Sequence, residues 1–238
     1  MRAVVFDLFG TLTDPAAEVG RSDVFRRTAE ALGVDAELYT QHLVDTYADR
    51  ITGRTGDTRS FVAAGARACG VEVDAETLAR AAEVHRAGAQ ALRRPRPGAL
   101  DVLAELRRRG FRIGLLSDCS SEVAEGWAAS QYASLIDARV LSYEEGCRKP
   151  DPRLYGAIAD RLGVAPNECW YVGDGGGREL TGATMAGMTP VLVTNAAIAG
   201  ADQHRTDPDD FVAAHTVDDI VEVLDLVGAP HPAAPSAS

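Results

Sequence analysis

Acidic side chains follow three short apolar runs of this 238-residue sequence, at positions where a β-strand would end. Asp7 ends VVFD, Asp118 follows Ser117 in LLSD, and Asp174 ends YVGD, after which three glycines and an arginine lead to Glu179. Each residue alone is compatible with a turn or a helix cap. Asp174 and Glu179 could also face one another across a turn and share a divalent cation, because Mg²⁺ and Ca²⁺ prefer oxygen ligands.

Lys149 is the only lysine of the chain, so the other 23 of the 24 basic residues are arginines. It lies in CRKPDP, in the loop before a predicted helix. A lone lysine is usually a solvated charge, but an ammonium group among several carboxylates offsets their mutual repulsion. Together with the hydroxyl of Ser117, these groups indicate a site for a metal ion and a phosphate-like substrate.

The elements that must position these residues are parallel β-strands. From residue 94 onward, strand-like apolar runs alternate with helical segments, which is typical of a doubly wound parallel sheet of the α/β class. The predicted strands cover residues 2–7, 111–118, 138–142, 168–174 and 189–194. Ligands bind such sheets beyond the carboxyl ends of the strands, so we expect the acids to converge in one crevice.

Residues 15–93 predict a separate, all-helical domain inserted into the α/β unit. Apolar residues at three- and four-residue spacing mark its helices, at 21–34, 35–51, 58–71 and 74–92. The stretch RRPRPGAL then returns the chain to the α/β unit. We therefore assign residues 1–14 and 94–228 to the core, and we expect the proline- and alanine-rich tail 229–238 to be disordered.

The composition argues against two classes of partner. A net charge of -11 and an isoelectric point near 4.9 argue against nucleic acid, whose phosphates attract clustered cations. The sequence has no apolar run of the length that spans a bilayer, and no signal peptide is visible. Its four cysteines include no CxxC pair, which favours reduced thiols. We expect a cytoplasmic monomer or homodimer with neither membrane nor nucleic-acid partner.

Four segments in order, DLFGTL, LLSDCS, KPDP and GDGGGRE, resemble the motifs of the haloacid dehalogenase-like (HAD) hydrolase superfamily. The resemblance covers nearly the whole chain, and the helical insertion between the first two motifs resembles the cap domain of one large subgroup. It implies a Rossmann-like core, a Mg²⁺ cofactor, and hydrolysis of a small phosphorylated metabolite. The implied reaction passes through an aspartyl-phosphate on Asp7.

The resemblance also implies roles for individual residues. Asp7 would be the nucleophile, and Ser117 and Lys149 would hold the transferred phosphoryl group. The residues implied to contact the substrate are Gly10, Thr11, Ser117, Asp118 and Lys149. The implied metal site consists of Asp7, the backbone carbonyl of Phe9, Asp174 and Glu179, the last of which would orient the metal or its waters.

Phe9 departs from the pattern of the phosphatases in this superfamily, which carry a second aspartate two residues after the nucleophile. That aspartate protonates the leaving group and then activates water, and a phenylalanine can do neither. General acid–base help is worth about 10²- to 10⁴-fold in rate. We therefore expect either a substrate with a good leaving group, such as an acyl phosphate or anhydride, or a proton donor from elsewhere, such as the cap.

An aromatic residue at position 9 also resembles the 2-haloacid dehalogenases of this superfamily. Those enzymes need no metal, and their fourth motif has no Gly-Asp pair. The presence of Asp174 and Glu179 here favours a cation and therefore the phosphatase interpretation.

Two further interpretations concern other members of the superfamily. A phosphonatase also lacks the second aspartate, but it requires a cap lysine for a Schiff base. The predicted cap, residues 15–93, contains no lysine. A catalytically weak member that binds a phosphorylated metabolite or a partner for regulation is the remaining alternative.

The polar stretch RITGRTGDTRSF, residues 50–61, lies in the predicted cap and suits a loop over an anionic substrate. Arg50, Arg54 and Arg59 are its candidate anion-binding residues. An ordinary loop between two helices explains the same composition.

Overall fold

The computed structural model describes residues 3–198, 207–210 and 213–228. Within these ranges the chain forms a six-stranded sheet with the strand order β3-β2-β1-β4-β5-β6. The strands are β1 (Ala3–Phe6), β2 (Arg112–Ser117), β3 (Ala138–Leu141), β4 (Cys169–Gly173), β5 (Thr189–Val193) and β6 (His215–Val217). All neighbouring strands are parallel, which confirms the predicted fold class.

Helices occupy the segment after β1, the crossovers between the later strands, and the segment after β6. The first group is α1 (Arg21–Leu32), α2 (Ala36–Asp45), α3 (Tyr47–Ile51), α4 (Thr58–Ala68) and α5 (Ala75–Leu92). The second group is α6 (Ala99–Arg108), α7 (Ser121–Gly126), α8 (Ser142–Glu145), α9 (Pro152–Leu162), α10 (Glu179–Met185) and α11 (Val223–Val227). A 3₁₀ turn, Pro15–Gly20, joins the loop after β1 to α1.

The central strand β1 is buried on both faces, as its uninterrupted apolar sequence predicts. Val4 and Phe6 belong to an apolar cluster that includes residues of α6 and α11. Ala3 and Val5 belong to a second cluster, which includes residues of α9 and α10. Successive residues of a strand point to opposite faces, so helices cover the sheet on both sides.

Helices α1, α2, α4 and α5 pack around an apolar cluster of their own, which includes Phe25, Leu43 and Phe61. The predicted helix 35–51 is divided in two at Thr46, whose hydroxyl donates to the backbone carbonyl of His42 over 2.7 Å. Hydrogen bonds from a threonine hydroxyl to the carbonyl four residues earlier often bend helices. The spacing of apolar residues in the sequence does not reveal such a bond. The segment has the helical content of a cap, and the limits 15 and 93 stay a prediction.

Two linkers connect this helical segment to the sheet, and they run side by side. Thr13 and Pro95 form an antiparallel bridge. On either side of it, the amide of Asp14 donates to the carbonyl of Arg94 over 3.1 Å, and the amide of Arg96 donates to the carbonyl of Leu12 over 3.0 Å. The chain therefore leaves the sheet and returns to it at neighbouring points.

Some features lie outside the sequence predictions. Strand β6 was not predicted, because its three residues, HTV, carry no apolar run. The tail 229–238 lies outside the described residues. Among the helices in the described ranges, none is long and apolar enough to cross a membrane.

Candidate active site

A cavity of about 470 Å³ lies between the carboxyl edge of the sheet and the helices α1 to α3. Its sheet side includes Asp7, Asp118, Lys149, Asp174 and Glu179. Its helical side includes Glu18, Arg21, Phe25, Leu43, Tyr47, Arg50 and Ile51. The five charged residues that the sequence placed at strand ends and loops therefore meet in one cavity.

Asp7 directly follows β1, and its backbone amide donates to the carbonyl of Val172 in β4 over 2.9 Å. Its side chain is buried, and Oδ1 accepts a hydrogen bond from Lys149 Nζ at 2.5 Å. Burial raises the pKa of Asp7 to about 6, while Lys149 opposes the rise and Asp174 adds to it. The carboxylate is thus destabilised by its surroundings and held by one ammonium group.

Lys149 is 3% exposed and also donates from Nζ to Glu179 Oε2, at 2.6 Å. Burial by itself lowers the pKa of Lys149, but attraction to Asp7 and Glu179 outweighs burial and holds this pKa well above its usual value. The lysine therefore stays charged and bridges the first and fourth sequence motifs.

Glu179 begins α10, and both of its carboxylate oxygens accept hydrogen bonds. Oε2 accepts from Tyr171 OH at 2.8 Å as well as from Lys149, and Oε1 accepts from the amide of Gly175 at 2.9 Å. Burial raises the pKa of Glu179 to about 7, with Lys149 opposing and Asp7 adding to the rise. A Cβ atom at position 173 would overlap Glu179 Oε1, which requires glycine there.

Asp174 directly follows β4, and its Oδ1 accepts a hydrogen bond from the amide of Gly176 at 3.0 Å. The loop after Asp7 lies directly against this carboxylate. Gly10 has a φ of 73°, and a Cβ atom on it would overlap Asp174 Oδ2. Position 10 therefore needs a residue that adopts a positive φ and has no Cβ atom, and glycine alone meets both conditions at low cost.

The donor set of this cavity fits Mg²⁺. One oxygen each of Asp7, Asp174 and Glu179 lie within 4.8 Å of one another, and all three side chains are buried. Hard divalent cations take carboxylate and carbonyl oxygens, and buried acids this close repel one another strongly. The carbonyl of Phe9 as a further ligand stays a prediction.

Three residues predicted to contact the substrate differ in where they lie. Asp118 borders the cavity, and its Oδ1 accepts a hydrogen bond from the amide of Lys149 at 3.1 Å. Ser117 and Thr11 are fully buried, and among the described residues neither belongs to the cavity lining. The cavity is bordered instead by Cys119 and Ser120, immediately after Asp118.

Phe9 borders the cavity with an apolar ring, at the position where a carboxylic acid was expected from the phosphatases. The ring is partly buried and packs against the cluster that contains Val4 and Phe6. The guanidinium carbon of Arg21 lies over the ring, 5.5 Å from its centroid. Position 9 is therefore part of the packing between sheet and helices.

The helical side of the cavity contains residues that the sequence patterns did not reveal. Glu18 and Arg21 form an ion pair there, and Glu122 of α7 also borders the cavity. Of the three candidate arginines, Arg50 borders the cavity. Arg54 and Arg59 are exposed and do not belong to the described cavity lining. Arg54 instead forms an ion pair with Asp49 on the surface.

The chain is similar to proteins with two activities. A glyceraldehyde 3-phosphate phosphatase of Methanopyrus kandleri is 28% identical over 237 residues, which cover 95% of this chain and 97% of that protein. An (S)-2-haloacid dehalogenase 4A of Burkholderia cepacia is 29% identical over 180 residues, which cover 72% of this chain and 74% of that protein.

The fold is shared with a solved structure, a 2-haloacid dehalogenase from Pseudomonas syringae pv. tomato. The two chains superimpose with a TM-score of 0.68 at 21% identity, over 96% of this chain and 98% of the other. A model of the haloacid dehalogenase-like hydrolases matches residues 1–187, from the strand that carries Asp7 to the end of α10. With the motifs, the sheet order and this match in agreement, the chain belongs to the haloacid dehalogenase-like hydrolase family.

Proposed function

We propose that this hydrolase is a Mg²⁺-dependent phosphatase of a small phosphorylated metabolite, and that it works through an aspartyl-phosphate on Asp7. The observation that carries the proposal is the contact of Lys149 Nζ with both Asp7 and Glu179, at 2.5 and 2.6 Å, on the floor of the cavity. An ammonium group in that position suits a reaction in which a phosphate ester approaches Asp7.

Asp7 supplies the nucleophile. With a pKa of about 6, its carboxyl group is mostly ionised at neutral pH. In the first displacement an Asp7 oxygen bonds to phosphorus, and the leaving group departs with the electron pair of its P–O bond. In the second, water attacks the phosphorus and returns Asp7 as a carboxylate with release of inorganic phosphate.

Lys149 holds the reacting groups together. Its fixed positive charge lies against the attacking carboxylate and would lie against an incoming phosphoryl oxygen, which reduces the repulsion between them. Mg²⁺ bound by Asp7, Asp174, Glu179 and the carbonyl of Phe9 would supply further neutralisation of the phosphoryl oxygens.

The leaving group must either leave without a proton or take one from a residue other than Phe9. An acyl phosphate or an anhydride meets the first condition. For the second, Glu18 and Glu122 border the same cavity, and each has one buried carboxylate oxygen without a hydrogen-bond partner among the described residues. Of these two acids, Glu122 is the candidate proton donor, because Glu18 is already ionised in its pair with Arg21.

Dehalogenation of a 2-haloacid is the second candidate, favoured by the aromatic residue at position 9 and by the dehalogenase relative. In that reaction Asp7 would attack carbon and displace halide, and water would then hydrolyse the ester. This chemistry has no use for the acids Asp174 and Glu179 beside Asp7.

One set of assays separates the candidates. Purified protein is supplied with acetyl phosphate and p-nitrophenyl phosphate in the presence of Mg²⁺ or a chelator, and phosphate release is measured. Chloride release from 2-chloropropionate is measured with the chelator present. We expect phosphate release that requires Mg²⁺ and is abolished by Asp7→Asn, whereas Asp225→Asn, the same change on an exposed residue, leaves it unaltered.

Turnover by the Asp7→Asn protein would contradict the proposed nucleophile. Chloride release with a chelator present would favour the dehalogenase. Binding of phosphate esters without any turnover would favour a regulatory member of the family.

We also propose a cytoplasmic monomer or homodimer whose partner is the metabolite alone. The net charge of -11 supports the absence of a nucleic-acid partner. Light scattering at two protein concentrations decides between monomer and dimer.

A further inference from the structure

Arg50 is a buried guanidinium on the helical side of the cavity. It belongs to α3, is 5% exposed, and borders the cavity opposite the floor formed by Asp7 and Lys149. Its guanidinium carbon lies 5.9 Å from the ring centroid of Tyr47 and 5.5 Å from that of Phe61. Two aromatic rings thus hold the cation in place.

The charge of Arg50 has no carboxylate partner in the described part of the chain, where no Asp or Glu oxygen lies within 4.0 Å of its nitrogens. One terminal nitrogen donates to the carbonyl of Leu43 at 2.7 Å, the other makes a long contact of 3.4 Å to Ser120 Oγ, and Nε has no partner among the described residues. Burial lowers the pKa of Arg50. This direction agrees with a buried positive charge that no contacting carboxylate offsets.

Arg96 provides a comparison within the same chain. It is 3% exposed, and its guanidinium pairs with Asp219 at 3.2 Å and donates to Asn195 at 2.5 Å. Burying a charge is costly unless it is paired and hydrogen-bonded. Arg96 meets this condition through the protein alone, and Arg50 does not.

The other charges around the cavity indicate which anion Arg50 could receive. Arg21 is already neutralised by Glu18, with which it forms an ion pair. Glu122 lies close enough to raise the pKa of Arg50 without contacting it. One unpaired positive charge beside a carboxylate suits a singly charged ligand group and opposes a second phosphate, which carries nearly two charges.

We propose that Arg50 binds a carboxylate on the leaving group, so that the substrate is a small phosphorylated carboxylic acid. A guanidinium group binds a carboxylate through two parallel hydrogen bonds, which fixes orientation as well as supplying attraction. The cavity connects Arg50 with Asp7 and Lys149, so a molecule held at both ends presents its phosphoryl group to the nucleophile. This inference rests on the proposed phosphatase activity.

The test compares phosphoglycolate with its methyl ester, which lacks the carboxylate charge and carries one additional methyl group. We expect the wild-type protein to hydrolyse the acid with a kcat/KM at least 10-fold above that of the ester. Arg50→Gln lowers kcat/KM for the acid by about 10- to 100-fold, the usual loss for a hydrogen bond to a charged group. The same variant changes kcat/KM for the ester less than about 3-fold.

Arg54→Gln is the matched control, because Arg54 is exposed four positions further along and lies outside the described cavity lining. We expect Arg54→Gln to leave kcat/KM unchanged for both the acid and the ester. Equal losses for acid and ester in Arg50→Gln would show a purely structural role and overturn the proposal. A wild-type protein that does not prefer the acid would also overturn it, and this result needs no folded variant.

Calorimetric titration separates this inference from the proposed function. Both ligands are titrated into the Asp7→Asn protein with and without Arg50→Gln, and the acid is expected to bind at least 10-fold more tightly only when Arg50 is present. Hydrolysis of the aryl phosphate without this preference would overturn the inference alone. Absence of any phosphate release would overturn the proposed function, and the titration would still decide whether Arg50 binds the carboxylate.

Discussion

The side-chain amide of Asn195 donates to the backbone carbonyl of Gly10 over 2.8 Å, and this bond ties the end of β5 to the loop that follows Asp7. Asn195 is 2% exposed and has a φ of 57°. Its amide oxygen in turn accepts a hydrogen bond from Arg96, in the linker that returns from the helical segment. The loop that carries the proposed nucleophile is therefore held from the side by a buried chain of three residues.

Asn195→Asp removes the donor to Gly10 and keeps an acceptor for Arg96. Aspartate tolerates the left-handed conformation, so the change tests the hydrogen bond and not the backbone. We expect kcat to fall about 10-fold and the free energy of unfolding to fall by about 1–3 kcal/mol, as for an unsatisfied buried group. Phosphate-release kinetics and urea unfolding measure the two effects.

Asn167→Asp, the same change at an exposed position, is the control and should alter neither quantity. An Asn195→Asp protein with wild-type kcat would show that Gly10 is positioned without this bond.

Lys149→Met leaves Asp7 and Glu179 buried without their shared cation. Breaking a buried ion pair from one side costs about 3–5 kcal/mol, so we expect a loss of that size in the metal-free protein at pH 7. Turnover should fall by about 10²-fold or more, since a fixed charge beside the reacting groups is removed. Part of the stability should return at pH 5, where the two carboxyl groups become protonated.

Lys149→Arg restores the charge and separates electrostatics from loss of the side chain. It should recover most of the stability at pH 7 and little of the turnover, because a planar guanidinium is not equivalent to a compact ammonium. Equal stability of the Met variant at pH 5 and pH 7 would argue against the ion pair as the cause.

The metal-free protein should lose stability as pH rises. Asp7 and Glu179 have pKa values of about 6 and 7 in the folded protein, above their ordinary 3.8 and 4.5. Between about pH 4 and 7 the folded protein therefore binds more protons than the unfolded chain, and the free energy of unfolding falls with increasing pH. The loss continues through the pKa of Glu179 and is complete at about pH 8.

Comparison with Glu179→Gln isolates this effect from other titrating groups, because that variant should show a shallower decline over the same range. Addition of Mg²⁺ at pH 8 should raise the midpoint of thermal unfolding in the wild type, since an ion that binds only the folded state stabilises it. A wild-type protein that becomes more stable between pH 4 and 7, relative to the variant, would contradict the pKa assignments.

Phe9→Asp should improve turnover selectively. An acid at position 9 can protonate an alkoxide, so we expect alkyl phosphates to be hydrolysed about 10- to 100-fold faster, with little change for acetyl phosphate. Phe9→Asn is the control, since it removes the same aromatic packing and has no acidic proton to transfer to the leaving group. Equal rates for the two variants would mean that proton donation at this position does not limit the reaction.

The sheet was predictable from the sequence because its strands are buried on both faces, where long apolar runs leave a clear pattern. The same pattern placed Asp7, Asp118 and Asp174 at one edge. Asn195 follows β5 in the same way, in TPVLVTN, and attention to polar residues at strand ends would have found it. The division at Thr46 is accompanied by a side-chain hydrogen bond to the backbone of His42, which the apolar spacing of the sequence does not record.

The helical side of the cavity was not predictable in the same way. Arg50, Arg54 and Arg59 are the same residue type in one polar stretch, and only the position of α3 beside the cavity distinguishes Arg50 from the other two. Glu18 and Arg21 fall in a segment without strand-end geometry. Which face of an inserted helix reaches the cavity depends on how two separately packed units meet, and apolar spacing describes each unit alone.

The bridge between Thr13 and Pro95 has a consequence for the ancestry of such enzymes. The chain leaves the sheet domain and returns to it at adjacent points. The length and fold of the inserted segment therefore place almost no constraint on the geometry of the sheet domain. Insertions with other helices and other arginines could be exchanged at this junction while Asp7 and Lys149 keep their separation. The junction thus allows the helical segment to diversify independently of the sheet that positions Asp7 and Lys149.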